Sequence, residues 1–514
     1  MKKGILLICC CFIILFFCQI NNLFAQNKVS IEIKPTEKKE YIYPNIYGQF
    51  IEYLGKSITG GIFEENSPLS DKNGFRMDVM GKVKKLRTPC IRYPGGTYTK
   101  IYHWEDGICP LSERKARKNL IWGGVEGNHF GTDEYIKYCR EVGAEPFIVV
   151  NMGTGTAEEA ANWVEYCNGT GNTYYANLRR KNGSEEPYNV KYWSLGNEEA
   201  AKEDAGRLFK PEKYAEECWL YVKLMKLTDP TIKLFFVGDL YNYKWNDAVL
   251  EELSPVCDYL SVHWYVGSDE KDNDAIYDRV NGLDDCLKNL SQYLTKYPDK
   301  VEHFLPWYRF DPRQEPIKIS VDEWGIWDRK CGGKWGHDCN YTWQEALVTA
   351  SFLNVFHRHA DKVKMANWAQ MVNVLGVINA NETGSVEQTV YYPLIYFREY
   401  VGNIRMDATV DNPEMIPGKK IPMLDLSASY DEEKKQIALF AVNRNNSKAY
   451  DLDIQIPDYK IETINTICMT ADNEQIFNTI GEKNIVKITE KKDLKKQNPT
   501  IPASAIMIVL FDVK

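Results

Sequence analysis

Two glutamates stand where acidic side chains are not expected by default, each directly after an apolar run. Glu198 ends Tyr192-Trp193-Ser194-Leu195-Gly196-Asn197-Glu198, and Glu323 lies in Ser320-Val321-Asp322-Glu323-Trp324. A charge beside a buried strand costs stability unless it is paired or hydrogen-bonded, so each is either a structural ion-pair member or a reacting group. Two carboxyls facing one mouth suit cleavage of a glycosidic bond: one protonates the leaving oxygen, and the other attacks or stabilises the oxocarbenium-like centre. Their separation selects the outcome, retention at about 5–5.5 Å and inversion when a water fits between them. The sequence leaves that distance open.

A frame that could bring the pair together is written in the alternation of short apolar runs with longer amphipathic stretches between Ile46 and about Tyr400. Eight runs stand out: Ile46 to Ile51, Cys90 to Tyr93, Pro146 to Met152, Val190 to Leu195, Ile232 to Val237, Tyr259 to Val266, Ile317 to Asp322 and Met365 to Val374. Helical periodicity lies between them, as in Thr132 to Val142, Ala157 to Cys167, Pro211 to Lys226 and Trp343 to His357. This is the pattern of a (β/α)8 TIM barrel, in which residues at the carboxyl ends of the strands line the active site. Glu198 and Glu323 follow the fourth and seventh runs.

The same filter selects supporting groups. Glu52 follows the first run, Asn197 adjoins Glu198, and His263 and Tyr265 share one face of the sixth run, two residues apart. A satisfied core histidine is the alternative for His263. Trp264 points to the opposite face and reads as packing. Arg92-Tyr93-Pro94-Gly95-Gly96 ends the second run, where paired glycines let the backbone turn tightly near a ligand. Trp104, Trp122 and Trp327 are candidate sugar-stacking rings, with ordinary packing as the alternative.

After about Arg405 the period changes to two. Leu424, Leu426, Ala428 and Tyr430 alternate with polar residues, Asp431 to Lys435 makes a turn, and Gln436 to Val442 returns. Tyr450 to Ile456, Ile485 to Ile488 and Ile506 to Phe511 continue the series, which predicts a C-terminal antiparallel β-sandwich. Val29 to Ile33 is strand-like and expected to join it. The division is therefore 1–25 a signal peptide, 26–45 an N-terminal strand segment, 46–400 the catalytic barrel and 401–514 the sandwich.

The leader reads as Lys2-Lys3, an apolar run from Ile5 to Phe17 and an exit at Leu23-Phe24-Ala25, which predicts export to the periplasm or the extracellular space. The run is too short to span a bilayer, so no membrane span is expected. With 63 Lys+Arg against 71 Asp+Glu the chain lacks the basic balance of a nucleic-acid binder, and 13 Trp, 32 Tyr and 20 Phe exclude disorder. Arg114 to Lys118 reads as solvated surface. The ten cysteines after the leader include no CxxC, and no HExxH occurs, so no metal site is expected. Cys331 and Cys339 bracket a Gly-rich loop, either as a bridge or as two free thiols.

Taken in order, Ile46-Tyr47-Gly48-Gln49-Phe50-Ile51-Glu52, Arg92-Tyr93-Pro94-Gly95-Gly96, Phe130-Gly131-Thr132-Asp133-Glu134, Gly153-Thr154-Gly155-Thr156, Trp193 to Glu198, His263-Trp264-Tyr265, Asp322-Glu323-Trp324 and Ala369-Gln370-Met371-Val372-Asn373 resemble the α-L-arabinofuranosidases of glycoside hydrolase family 51. The resemblance implies a retaining, exo-acting enzyme that releases arabinofuranose from arabinose-containing oligosaccharides or polysaccharides, with no cofactor and a homo-oligomeric assembly. It matches Glu198 to the general acid/base, Glu323 to the nucleophile, Asn197 and Glu52 to residues holding sugar hydroxyls, and His263 and Tyr265 to supports of the catalytic pair. Gln370 matches a subsite residue, and Trp122 and Trp327 resemble aromatic residues near the leaving group. Thr97, Gly325 and Cys109 depart from residues common in the family. The acid role implies that Glu198 starts protonated, with a pKa above that of Glu323. The rival readings are a barrel glycosidase of other specificity, an endoglucanase or xylosidase, and a carbohydrate-binding protein without turnover.

Overall fold

Each of the eight apolar runs becomes a strand of one closed parallel barrel. The structure, a computed structural model, describes residues 27–514 apart from 202–204, 268, 269, 271, 303–308, 329, 330, 335, 483, 484 and 495–497. The leader expected over residues 1–25 lies outside the described residues. Strand β1 (Lys28–Pro35) precedes the barrel, whose strands are β2 (Gly48–Phe50), β3 (Cys90–Tyr93), β6 (Glu145–Val150), β7 (Tyr192–Leu195), β8 (Lys233–Val237), β9 (Tyr259–Val266), β10 (Lys318–Ile326) and β11 (Val363–Trp368). They close in the order β10-β11-β2-β3-β6-β7-β8-β9, and a short hairpin of β4 (Arg117–Lys118) and β5 (Val125–Glu126) lies in the long loop after β3.

Helices α1 (Met77–Leu86), α2 (Thr132–Val142), α3 (Ala157–Asn168), α4 (Tyr174–Lys181), α5 (Pro211–Thr228), α6 (Tyr243–Leu253), α7 (Asn273–Leu294), α8 (Trp343–Arg358) and α9 (Tyr391–Tyr400) supply the α component. Their starts follow local chemistry: Thr342 and Glu345 form a capping box on α8, and Pro211 opens α5. The lower end of the barrel is plugged by Cys90, Phe147, Tyr192, Phe235, Tyr259 and Met365, with Phe235 and Tyr259 stacked at 4.1 Å. Cys90, Tyr192 and Tyr259 open their strands, so the filled end is the amino end and the opposite mouth is left for a site.

Three barrel strands depart from their runs in ways that bear on the site. The eighth ends at Trp368, short of Val374, so Gln370 lies beyond it. Pro44 opens a 3-10 turn over Pro44–Tyr47, which confines the first strand to Gly48–Phe50. The seventh strand extends past Asp322 to Ile326, so Glu323 lies within it, at register shifts against both neighbouring strands. That irregularity has the character of a β-bulge, which re-aims side chains beside active sites.

Nine strands form the second sheet: β1 with β14 (Ile404–Val410), β15 (Leu424–Asp431), β16 (Gln436–Asn443), β17 (Tyr450–Gln455), β18 (Ile461–Thr470), β19 (Lys487–Lys491), β20 (Thr500–Ile501) and β21 (Ala505–Val513). Pairing is antiparallel apart from β1 against β17, so the N-terminal segment enters this sheet through one parallel partner. The alternation read from Leu424 onward sends Leu424, Leu426 and Ala428 into a core shared with Ile31, Leu452 and Val509. The opposite face, with Phe440 and Ile508, joins the barrel core around α8. Strands β12 (Ile378–Asn381) and β13 (Gly384–Glu387) form a hairpin after the last barrel strand.

Arg114 corrects the surface reading of its cluster. Its side chain is 4% exposed, forked onto Glu134 and bonded to the carbonyls of Cys109, Asn128 and His129, whereas Lys115 and Arg117 stay exposed. Among the described residues no helix is long and apolar enough to cross a membrane.

Candidate active site

The chain leaves β7 through Gly196 at φ 83 and reaches Glu198 at φ 49. A left-handed conformation in a residue other than glycine costs roughly 1–3 kcal/mol and persists where the surroundings impose it. Here Glu198 Oε1 lies 2.8 Å from His263 Nδ1, on β9. The same nitrogen is 3.6 Å from Glu323 Oε2, and His263 is therefore not a core histidine but the bridge between the two carboxyls. One oxygen of each glutamate and a His263 nitrogen lie within 4.8 Å of one another.

Glu323 is held from two more sides. Tyr265 donates its hydroxyl to Oε1 at 2.8 Å, and Arg92 Nη1 donates to Oε2 at 3.1 Å. Arg92 is wholly buried on β3: its second arm donates to Asn197 Oδ1 at 2.6 Å, its Nε lies 3.2 Å from Asp322 Oδ2, and its plane covers Phe50 at 4.7 Å. Ser261 in turn donates to Asp322 Oδ1 at 2.6 Å. This planar fork fixes two residues at once, which a lysine cannot do.

Glu52, 3% exposed, accepts from Tyr98 N at 2.9 Å, Trp122 Nε1 at 3.1 Å and Gln370 Nε2 at 2.9 Å. Gln370 follows β11 where the chain leaves the sheet; the Ala369–Gln370 and Tyr93–Pro94 peptide bonds are cis. Asn197 Nδ2 and Gln370 Oε1 are buried without partners. Buried polar atoms are almost always bonded, so these two are free to take a polar partner at the mouth. The paired glycines serve the same constellation: a Cβ on Gly95 would meet Glu52 Cγ at 2.6 Å, and one on Gly96 would meet Glu323 Oε2 at 3.0 Å.

The structure thus brings together Glu198, Glu323, Glu52, Asn197, His263, Tyr265, Gln370 and Trp122, with Trp327 edge-on to Tyr265 at 5.9 Å. Trp104 is not among them: it is buried and stacked on Trp163 at 5.8 Å, so it is packing. Trp264 also packs, under the Arg279 guanidinium at 4.0 Å. Arg92 and Asp322 were given no role from the sequence, although a charge inside the apolar run Cys90-Ile91-Arg92-Tyr93 is itself a signal. Cys331 and Cys339 are bridged.

A cavity of about 340 Å³ opens beside the pair, lined by Glu198, His263, Ala200, Ala201 and Tyr241 among others. A larger cleft of about 920 Å³ lies on the flank along α2, but neither glutamate lines it.

The electrostatics contradict the expectation that Glu198 rests protonated. Burial alone would raise its pKa, but the hydrogen bond and charge of His263, with Lys100 and Arg92, outweigh it and hold the carboxyl below its ordinary value. Burial lowers the pKa of His263, and the charges of Glu323, Glu198 and Asp322 with the Glu198 hydrogen bond outweigh it, so its pKa is raised. Both shifts draw the proton of the pair toward the imidazole. Glu52 is pushed up to about 7, chiefly by burial and further by Glu323, against the hydrogen bonds that it accepts.

A parallel barrel with two close carboxyls at its open mouth, one clamped by tyrosine and arginine, defines a barrel glycosidase. Residues 82–282 match the model of an alpha-L-arabinofuranosidase 1 domain, and residues 322–505 that of an alpha-L-arabinofuranosidase C-terminal domain. Alpha-L-arabinofuranosidase C of Emericella nidulans is 37% identical over 92% of this chain and 95% of its own length. An intracellular exo-alpha-(1->5)-L-arabinofuranosidase of Acetivibrio thermocellus is 33% identical over 80% of this chain and 84% of its own. The structure of the thermostable family 51 α-L-arabinofuranosidase from Thermotoga petrophila superposes with a TM-score of 0.85 at 35% identity, covering 94% of this chain and 100% of that one. The chain belongs to the α-L-arabinofuranosidases of glycoside hydrolase family 51.

Proposed function

We propose that this chain is a retaining, exo-acting α-L-arabinofuranosidase that releases terminal arabinofuranose from arabinose-bearing oligosaccharides or polysaccharides. The observation that carries the mechanism is the approach of a Glu198 oxygen to within 4.8 Å of one on Glu323. That spacing belongs with the retaining arrangement, about 5–5.5 Å, and not with the wider pairs of about 6.5–9.5 Å that invert. Glu323, held at both oxygens, attacks the anomeric carbon. As its charge is consumed, the largest attraction keeping the proton on His263 fades, and the proton crosses 2.8 Å to Glu198 and on to the leaving oxygen. In the second step Glu198 takes a proton from water, the hydroxide attacks the anomeric carbon, and Glu323 departs. Glu52, Asn197 and Gln370 hold the sugar hydroxyls, and Trp122 and Trp327 face the leaving group.

The test is release of p-nitrophenol from p-nitrophenyl α-L-arabinofuranoside by residues 26–514, beside the glucoside, the xyloside and Glu323→Ala. Turnover of the arabinoside that Glu323→Ala loses supports the reading. Turnover confined to another glycoside overturns the sugar assignment, and silence on all of them favours binding alone.

Export completes the proposal. It rests on the leader sequence and agrees with the Cys331–Cys339 bridge, since such bridges persist in oxidising compartments. N-terminal sequencing of the protein from periplasmic and culture fractions checks it, with Gln26 as the expected first residue. Homo-oligomeric assembly, also proposed, is read by light scattering of the mature chain.

A further inference from the structure

The loop between β10 and α8 is fastened at many points. Cys331 is bridged to Cys339, Gly332 pairs with Asp338 and Asp338 with Val374, Trp327 Nε1 donates to Gly336 O, and Leu375 N donates to His337 O at 2.9 Å. These restraints present one polar ring, His337, to the mouth's aromatic wall. It lies 5.7 Å edge-on from Trp122 and 5.0 Å from Trp327, and only 7% of it is exposed. Trp122 donates to Glu52, and Trp327 abuts Tyr265, which holds Glu323. The row therefore runs along the rim from one sugar-holding carboxylate to the support of the nucleophile.

An imidazole is a costly filler here. Its Nδ1 is buried without a partner, which costs about 1–3 kcal/mol, whereas an apolar ring would fill the same gap without that cost. Burial pulls its pKa down to about 4, so the ring is neutral and offers one donor and one acceptor without charge. The sugar being released already has its partners in Asn197, Glu52 and Gln370. The next sugar presents an apolar face that suits the tryptophans and hydroxyls that they cannot bond.

We propose that His337 is a specificity-determining residue that hydrogen-bonds a hydroxyl of the sugar in the leaving-group position, held in place by the Cys331–Cys339 bridge. The inference rests on the arabinofuranosidase reading. It makes the bridge part of the leaving-group subsite and predicts a preference for sugar over aryl leaving groups that neither glutamate sets.

The experiment compares kcat/KM for α-1,5-linked arabinobiose with that for p-nitrophenyl α-L-arabinofuranoside, whose aryl group stacks but offers His337 no hydroxyl. His337→Phe keeps a ring between the tryptophans and removes both nitrogens; His337→Asn returns a polar atom near Nδ1. The ratio of disaccharide to aryl kcat/KM should fall about tenfold in His337→Phe, mainly through KM. That fall corresponds to about 1.4 kcal/mol. In His337→Asn it should stay within about threefold of the parent, and reduction of the bridge or Cys331→Ser with Cys339→Ser should lower it as His337→Phe does. An unchanged ratio in His337→Phe, or equal losses on both substrates, overturns the proposal. If His337→Phe does not fold, an unchanged ratio after reduction of the parent protein overturns it instead. A parent that turns over neither substrate refutes the arabinofuranosidase reading itself, which separates the two failures.

Discussion

Glu52→Gln isolates the electrostatic cost of burying a carboxyl at the barrel mouth. In the folded chain the carboxyl titrates at about 7 against an ordinary 4.5, raised mainly by burial. A raised value means that the folded state binds the proton more tightly, so this contribution to stability is complete below pH 4.5 and is lost as the pH climbs through 7. At about 1.4 kcal/mol per pH unit the loss totals about 3 kcal/mol. Glutamine does not titrate, yet it keeps the shape: its oxygen can accept from Tyr98 N and Trp122 Nε1, and Gln370 can turn its amide so that the unpartnered Oε1 accepts from the new amide. The variant should therefore melt with the parent near pH 4 and above it at pH 8. A chain of this size has an unfolding entropy of roughly 1 kcal/mol/K, which makes the expected gain about 3 °C. The assay is thermal unfolding of both proteins from pH 4 to 9, other titrations cancelling in the difference. A constant difference in Tm across that range refutes the reasoning.

His263→Asn should move the alkaline limb of kcat/KM toward acid by at least about one pH unit, because the reaction's proton then has only Glu198 to occupy, and even raised by burial a carboxyl starts from an ordinary 4.5, below an imidazole's 6.5. The measurement needs a poor leaving group such as an alkyl arabinofuranoside, and a limb unmoved from its parent position counts against the proton route. Gly96→Ala places a Cβ 3.0 Å from Glu323 Oε2 and should lower kcat on the order of 10²-fold with Tm nearly unchanged, since misplacing a reacting group by about 1 Å costs that much. A drop below threefold would mean that the Glu323 carboxyl gives way freely. Trp104→Ala should cost about 3–5 kcal/mol of stability by emptying its place against Trp163, with kcat/KM at 25 °C close to that of the parent. A selective rise in KM would restore Trp104 to the sugar site.

What the sequence determined by itself was periodic or local. Runs of apolar residues spaced by amphipathic stretches specify strands, helices and their alternation, and a barrel's chirality and closure leave one end for chemistry, so Glu198, Glu323, His263 and Tyr265 were legible from position. Period-two alternation likewise announced Leu424 to Val442 as a hairpin. Tertiary structure alone decided relations between residues distant in the chain. Arg92 clamps Glu323 across 231 positions, Gln370 reaches Glu52 across 318, and the parallel pairing of β1 with β17 joins the two ends of the chain in one sheet. It also set the direction of the pKa shifts: a pKa depends on the distance to opposing charges and on burial, neither of which spacing encodes, and His263 at 2.8 Å pulls Glu198 down where the acid role implied a raised value. The same holds for Trp104 and His337. Both are rings outside the strands and α-helices, alike to a reading of composition, and only packing buries one against Trp163 and sets the other, with an unmet nitrogen, between the two tryptophans of the mouth.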